Sequence, residues 1–426
     1  MAALLALVLT APSALAEKPQ RDVLAEQASR ARLVRVAMEK SPAMRAAAHR
    51  EKAAKLRAKA ANSLPDPELM LDVWQIPISR PYAVRDAGMV MLGVKQAIPA
   101  PGSLSLRESA TELEARVARA EQNEALRKLT REVGHTFADY LEATRQHHIH
   151  ERHIAVARRV LEVARARYAA GGMLTDVSQS EVELSRSRAD AAGEEARLRS
   201  LKRRLNALLS RPADAKLGPP VDEGLMTVDL TASEIERRAL ARRPDLEMAQ
   251  AKRAAAEAEQ RVTDKEAGAP SFTLGGLYFP PTRGETEHGY GASFSMSLPW
   301  VWGGPRQKRA AQRESVKAAG AEISQARLDA GAEVASSMSA VEGALERLKV
   351  LERETLPASR RNLEFSLTGY ETGGTTLVTL LTAQRDVVDV ELEIVMAKAT
   401  LDHALTELDF AAGTELPRKR VVLDAK

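Results

Sequence analysis

The sequence of 426 residues contains no cysteine. This absence excludes disulfides, thiolate metal sites, cysteine nucleophiles and a lipid-modified N-terminal cysteine. Aromatic residues make up only 4% of the chain, so we do not expect a core built from large aromatic side chains. Beyond the N-terminus there is no run of 18 apolar residues, which excludes a membrane-spanning helix.

The chain also lacks a concentrated block of basic residues. Its net charge of +4 comes from a small excess of Lys and Arg spread along the sequence, so we expect no nucleic-acid partner. Charged residues of both signs make up 28% of the chain. Interspersed charges of this kind favour long helices with one solvated face over a compact α/β enzyme.

The sequence contains no motif that we recognise as catalytic. Gly289-x-Gly lacks the third glycine of a dinucleotide-binding loop and lies in a predicted strand. The segment from His150 to His153 is one residue shorter than the zincin motif. We therefore expect no catalytic residue, no cofactor and no catalysed reaction.

The N-terminal residues have the composition of an export signal. A short apolar run from Ala2 to Leu9 is followed by the small-x-small pattern Ala14-Leu15-Ala16. We predict a signal peptide over residues 1–16, so the mature protein is exported.

The most regular strand signal is the alternation from Gly289 to Leu298. Apolar side chains occupy every second position, with glycine or serine between them. Period two is the strand period, and about ten such residues can cross a bilayer as a tilted strand with one apolar face towards lipid. A soluble sandwich strand would show the same alternation. The positions predicted to face lipid are Tyr290, Phe294, Met296 and Leu298.

The strand belongs to an internal duplication. We predict a first repeat over residues 17–229, containing a helix, a β-hairpin over 68–98, a helix of roughly 100 Å and a second helix. A second repeat over residues 230–412 has the same order, with its hairpin over 271–299, and residues 413–426 form a C-terminal tail. The sequence Tyr-x-x-Gly-Gly occurs at Tyr168 and again, about 200 residues later, at Tyr370.

One chain does not contain enough strands and helices to close a barrel and cover its own helices. Four strands cannot close a barrel, and helices of roughly 100 Å bury little apolar surface without neighbours. Three copies would supply twelve strands and a matching ring of helices. We therefore predict a mainly α-helical homotrimer, in which a long-helix α-barrel continues a twelve-stranded membrane β-barrel built from four strands per chain.

The order of these motifs resembles the TolC-type outer-membrane efflux family. The resemblance rests on the Leu-Pro-Asp-Pro sequence at 64–67, the Arg-Arg-Pro-Asp-Leu sequence at 242–246 and both Tyr-x-x-Gly-Gly turns. It covers nearly all of the mature chain. It implies an exit duct in the outer membrane that extends into the periplasm and works with a periplasmic adaptor and an inner-membrane RND-type pump. The segment from Gln96 to Gly102 is similar to a hairpin exit common in the heavy-metal branch.

The resemblance also implies a gate at the periplasmic turns. The turn glycines are Gly171, Gly172, Gly373 and Gly374. Tyr168 and Tyr370 either pack at helix ends or line the periplasmic mouth. The best-known family member has an Arg and two Asp after the second turn, as a gate and a cation-binding ring. Here those positions are Thr375, Thr379 and Thr382. Asp176 remains as an acidic partner, and we expect it to accept a hydrogen bond from Tyr370.

A group of histidines in the first long helix offers candidate metal ligands. His147 and Glu151 share a helix face, and His150 and His153 lie nearby. The interpretation that we favour is that these residues are exposed or interhelical polar positions.

Two other functions fit parts of the sequence. A periplasmic adaptor also has a long helical hairpin, but it would have one hairpin and a lipoyl-like β domain, and the duplication argues against it. A periplasmic metal-binding protein would depend on the cluster from His147 to His153.

Overall fold

The computed structural model describes residues 23–76, 78–82, 87–282 and 286–421. The predicted signal peptide, residues 1–16, lies outside the described residues. The first repeat runs in the order α1 (Val23–Glu26), α2 (Arg30–Lys40), α3 (Pro42–Ala61), β1 (Glu68–Trp74), β2 (Met89–Ile98), α4 (Ser103–Ala169), α5 (Leu174–Leu208) and β3 (Met226–Val228). The second runs in the order α6 (Ala232–Arg242), α7 (Pro244–Glu266), β4 (Phe272–Phe279), β5 (Gly289–Met296), α8 (Gly304–Val350), α9 (Leu356–Thr372), α10 (Leu377–Ala412) and β6 (Arg418–Arg420).

The two hairpins pair with each other in one antiparallel sheet of order β1-β2-β4-β5. Residues paired across the strands share a face, so the register places most apolar positions of the four strands on one side, together with Gln96 and Gly276. The opposite face mixes apolar groups with polar ones, among them Asp72, Lys95, Thr273 and Ser295. The apolar face carries Leu69, Leu71, Val73, Val90, Leu92, Val94, Ile98, Phe272, Leu274, Tyr278, Tyr290, Ala292, Phe294 and Met296.

The strand around Phe294 is shorter than the alternation predicts. β5 ends at Met296, so Leu298 lies beyond the strand. Ser297 instead bonds to Ser271: its backbone N–H donates to the Ser271 carbonyl at 2.9 Å, and the two Oγ atoms lie 2.8 Å apart. Pro299 follows, and because proline cannot donate to a strand ladder, regular pairing does not continue.

The helices attached to the sheet are far longer than a globular core requires. α4 has 67 residues and therefore extends about 100 Å. It contains no proline and a single glycine, Gly134, so no residue type in its interior breaks the helix. α5 returns beside it over 35 residues. None of the described helices combines the length and the apolar composition needed to cross a bilayer.

The long helix of the second repeat changes its winding just before Pro357. A π-helical turn, Leu351–Thr355, separates α8 from α9. Proline has no N–H to donate, and its ring clashes with the carbonyl four residues earlier. A π turn accommodates this by widening the helix locally. The widened turn therefore precedes Pro357, and the helix remains continuous around it.

Each repeat has an apolar cluster at equivalent positions. Leu33 and Ala37 of α2 are buried against α4 and α5. Ile235 and Ala239 of α6, about 200 residues later, are buried against α8 and α10. The duplication seen in the sequence is therefore also a duplication of the core.

Arg243 connects the break between α6 and α7 to the end of α10. Its guanidinium is 2% exposed and donates to Asp245 at 3.0 Å and to Glu333 at 2.7 Å. It also donates to the carbonyl of Ala411 at 3.3 Å. The last carbonyls of a helix have no intrahelical partner, so a buried cation at this end is favourable. The Arg-Pro-Asp sequence therefore serves as a contact between the two halves of the second repeat.

A second, two-stranded sheet was not predicted from the sequence. β3 and β6 pair antiparallel, with Val228 opposite Arg418. Both strands have only three residues, and the basic sequence of β6 has neither alternation nor high β-propensity. Arg418 donates to Asp409 of α10, and this long-range contact positions the strand. The segment that precedes α6 and the predicted C-terminal tail therefore pair with each other.

We predict that Arg243→Ala lowers the free energy of unfolding by about 1.5–3 kcal/mol, because it removes the charge-assisted hydrogen bonds to the partly exposed Asp245 and Glu333. The neighbouring Arg242 is exposed, so Arg242→Ala is the matched control and should change stability by less than about 0.5 kcal/mol. Urea titration followed by circular dichroism measures both. Equal stability of the two variants would mean that the Arg243 contacts contribute nothing.

Candidate functional site

The two glycine turns lie at the end of the helices that is far from the four-stranded sheet. α4 begins five residues after β2 and ends at the first turn, so its length places that turn about 100 Å from the sheet. The second turn, between α9 and α10, lies beside it, because the carbonyl of Tyr370 accepts a hydrogen bond from Arg167.

Left-handed glycines make both turns possible. Gly171 has φ of 97° and Gly373 has φ of 81°, values that residues with a Cβ rarely adopt. The next glycines close the helix ends: Gly172 N–H donates to the Arg167 carbonyl at 2.9 Å, and Gly374 N–H donates to the Gly369 carbonyl at 2.7 Å. This is the glycine-terminated helix end that the Tyr-x-x-Gly-Gly sequence predicts.

Tyr370 and Asp176 meet as the sequence predicts. The phenol donates to Asp176 Oδ2 at 3.0 Å, across 194 residues of sequence. Asp176 lies in the first turn of α5, where the positive end of the helix dipole favours a carboxylate. The bond therefore joins the beginning of α5 to the end of α9.

The Tyr370 ring is held by apolar and cationic neighbours. The side chain is 1% exposed and packs with Val160, Leu377 and Leu380. The Arg167 guanidinium lies over the ring, 4.3 Å from its centroid. Burial, together with the bond to the negatively charged Asp176, raises the pKa of the phenol, so it remains a hydrogen-bond donor.

Tyr168, the counterpart of Tyr370, has a different environment. Its side chain is 48% exposed, although both tyrosines precede a Gly-Gly pair. The two repeats are therefore not equivalent at their turns. Tyr370 is the packed residue, and Tyr168 is free to meet another surface.

The three threonines at the implied gate positions are engaged within their own turn and helix. Thr375 N–H donates to the Gly369 carbonyl at 3.1 Å. The Thr379 hydroxyl lies 3.0 Å from that of Thr376, the N-cap of α10. The Thr382 hydroxyl donates to a carbonyl one turn earlier at 2.9 Å. None of the three bears a charge, so the second turn contains no cationic contact from these positions.

A second polar contact joins α5 to α10. Arg385 forms a bidentate pair with Glu183, with its Nε 3.1 Å from Glu183 Oε2. Glu183 is 6% exposed, and the bond from Arg385 lowers the pKa of this carboxyl. No local sequence pattern predicts this pair. Its one available signal was that the residues are about 200 apart, hence at equivalent positions of the two repeats, with opposite charges.

The candidate metal ligands on α4 separate into different environments. His147 and His148 lie 3.5 and 3.4 Å from Glu151, and His148 is exposed whereas His147 is half-buried. His153 is buried and faces Glu183 at 3.7 Å and Gln384 at 3.4 Å. Burial lowers the pKa of His153, which favours its neutral form. Among the described residues, no group of three or more His, Cys, Asp or Glu is arranged to hold a metal ion.

The chain belongs to the outer membrane efflux protein family. The family model matches residues 33–211 and again residues 236–414, so both repeats are recognised. This places the protein in the outer membrane and argues against the single-hairpin adaptor. None of the curated proteins matches the chain significantly.

Several solved outer-membrane channels have the same fold. VceC from Vibrio cholerae is 18% identical, with a TM-score of 0.73 over 90% of this chain and 96% of that one. CmeC from Campylobacter jejuni is 15% identical, with a TM-score of 0.74 over 91% and 86%. The open state of MtrE from Neisseria gonorrhoeae is 20% identical, with a TM-score of 0.68 over 91% and 89%.

Proposed function

We propose that three copies of this chain form the exit duct of a tripartite efflux pump. Twelve strands close a barrel in the outer membrane, and the helices continue it as a tube through the periplasm. The duct is passive and catalyses no reaction. It conducts small molecules or metal cations that an inner-membrane RND-type pump and a periplasmic adaptor deliver.

The observation that carries this proposal is the four-stranded sheet, which among the described residues has two open edges and one exposed apolar face. Its apolar face is exposed: Tyr290 is 82% exposed and Phe294 66%. Its outer strands, β1 and β5, each have one partner among the described residues, so their outward backbone groups are available for pairing. Pairing β5 of one copy with β1 of the next removes both edges and turns a single apolar face towards lipid.

The polar contacts at the turns suit a gate. The apolar clusters here join α4 to α5, and α4 to α9 and α10. α5 is connected to α9 by Tyr370–Asp176 and to α10 by Arg385–Glu183. Polar contacts of this kind can break and re-form as helices shift, without dismantling an apolar core. We therefore assign the closed state of the duct to these two contacts.

The free energy that holds this gate closed is small enough for a partner protein to reverse the equilibrium between the closed and open states. A hydrogen bond to a charged group contributes about 1.5–3 kcal/mol when shielded from water. An adaptor that binds the open state better by a few kcal/mol therefore shifts the equilibrium. Because Thr375 stands where the family gate has an Arg, the closed state here should be weaker than in members with the full set of charges.

The lipid face can be tested on adjacent residues of β5. Phe294→Lys places a charge on the apolar face and should cost about 2–4 kcal/mol per subunit at the membrane midplane, which reduces trimer assembly. The matched control is Ser295→Lys, on the opposite face, which should assemble normally in a wet lumen. Heat-modifiable migration in detergent gels measures assembly. Equal assembly of both variants would show that the faces are assigned wrongly.

The gate can be tested by single-channel conductance in planar bilayers. Asp176→Ala combined with Tyr370→Phe removes the bond between α5 and α9, so conductance should rise above that of the wild type. Tyr168→Phe, at the exposed counterpart, should conduct like the wild type. If the double variant also conducted like the wild type, other residues would build the constriction, and the turns would serve only to reverse the chain.

A further inference from the structure

Two histidines and two carboxylates contact one another between α4 and α10. His135 on α4 is followed one turn later by Asp139, and His403 on α10 is followed one turn later by Glu407. Each imidazole reaches the carboxylate of the other helix: His135 Nε2 lies 2.5 Å from Glu407 Oε1, and His403 Nε2 lies 2.9 Å from Asp139 Oδ1. The two remaining ring nitrogens, both Nδ1, lie 2.5 Å apart.

The two rings meet edge to edge. Their centroids are 4.8 Å apart and their planes are inclined by 22°. That separation equals the gap between the Nδ1 atoms plus the two ring radii. Both Nδ1 atoms therefore lie close to the line between the ring centres, and their in-plane lone pairs point at each other.

The carboxylates determine where the ring protons are. An ionised carboxylate only accepts hydrogen bonds, so the Nε2 atom of each histidine must carry the proton that it donates. A neutral imidazole protonated on Nε2 has a bare Nδ1. Two lone pairs at this distance repel each other, unless an electron-pair acceptor lies between them.

The surroundings keep the two imidazoles in place and accessible. Next to His135, Gly134 lets the helices approach, because a Cβ there would lie 2.8 Å from the Thr406 side chain. His135 is 29% exposed and His403 30%, so a small ion can reach them from solvent. Arg131 lies 3.6 Å from Glu407 and holds that carboxylate from its far side.

We propose that His135 and His403 bind a divalent transition-metal cation between their Nδ1 atoms and so connect α4 to α10. Metal-binding histidines typically donate their other N–H to a carboxylate, as both do here. Imidazole suits Zn²⁺, Ni²⁺ and Cu²⁺. Metal–nitrogen bonds of about 2.0–2.1 Å at a tetrahedral angle require the Nδ1 atoms to move apart to about 3.4 Å. The imidazoles are the protein ligands of this site, and water completes the coordination.

The test is Cu²⁺ and Zn²⁺ binding to the purified full-length trimer, without a histidine tag, by isothermal titration calorimetry. The wild type should bind one ion per subunit at this site. His135→Gln and His403→Gln should each weaken that binding by more than about 100-fold, since loss of a ligand exceeds the about 10–100-fold cost of losing an outer partner. The control variant His147→Gln/His150→Gln alters the other histidine cluster and should retain the site.

Two further measurements separate metal binding from a merely structural role. The Cu²⁺ electron paramagnetic resonance spectrum should show coupling to two imidazole nitrogens, reduced to one in each single variant. Asp139→Asn and Glu407→Gln keep both ligands and should weaken binding by about 10–100-fold. Absence of binding, or binding unchanged in His135→Gln, would overturn the proposal and leave a shared proton between the rings. Neither result depends on whether the trimer conducts.

Discussion

The incomplete sheet is the constraint on which the rest of this structure depends. Among the described residues, the four strands have two open edges and one exposed apolar face, which is not a stable end point in water, because unpaired backbone groups and apolar surface both gain from partners. In the proposed trimer, pairing between copies satisfies the edges and lipid covers the face. The helices share this dependence, since a helix of about 100 Å has more surface than its own chain can cover. In the proposed trimer, assembly is therefore part of folding.

Within one chain, the middle of the molecule and the far turns are held by different kinds of contact. The middle of the molecule is fixed by buried contacts: apolar clusters at equivalent positions of both repeats, and Arg243 bound to the last carbonyl groups of α10. At the far turns, apolar clusters join α4 to its neighbours, and α5 is joined to α9 and α10 by the polar contacts Tyr370–Asp176 and Arg385–Glu183. We therefore assign the proposed gate to the end where polar contacts can break and re-form while the buried contacts elsewhere remain.

The sequence predicts the parts whose signal is local. The alternation around Phe294, the proline-free run of α4 and the Gly-Gly turns each follow from periodicity or backbone preference, and the structure has them within a few residues. The meeting of Tyr370 with Asp176 was inferred from the duplication and the family resemblance together. β3–β6, Glu183–Arg385 and His135–His403 were not predicted, because each joins residues far apart in sequence that carry no local pattern. The histidines of α4 show the opposite case: they are neighbours in sequence, but they face different sides of the helix.

The measurement that tests the central claim most directly is the native mass of the purified protein in mild detergent. We predict a single trimeric species with three times the mass of one chain, because only then do twelve strands close without free edges. A stable, monodisperse monomer would contradict it, since the open sheet and the long helices would then have no partners.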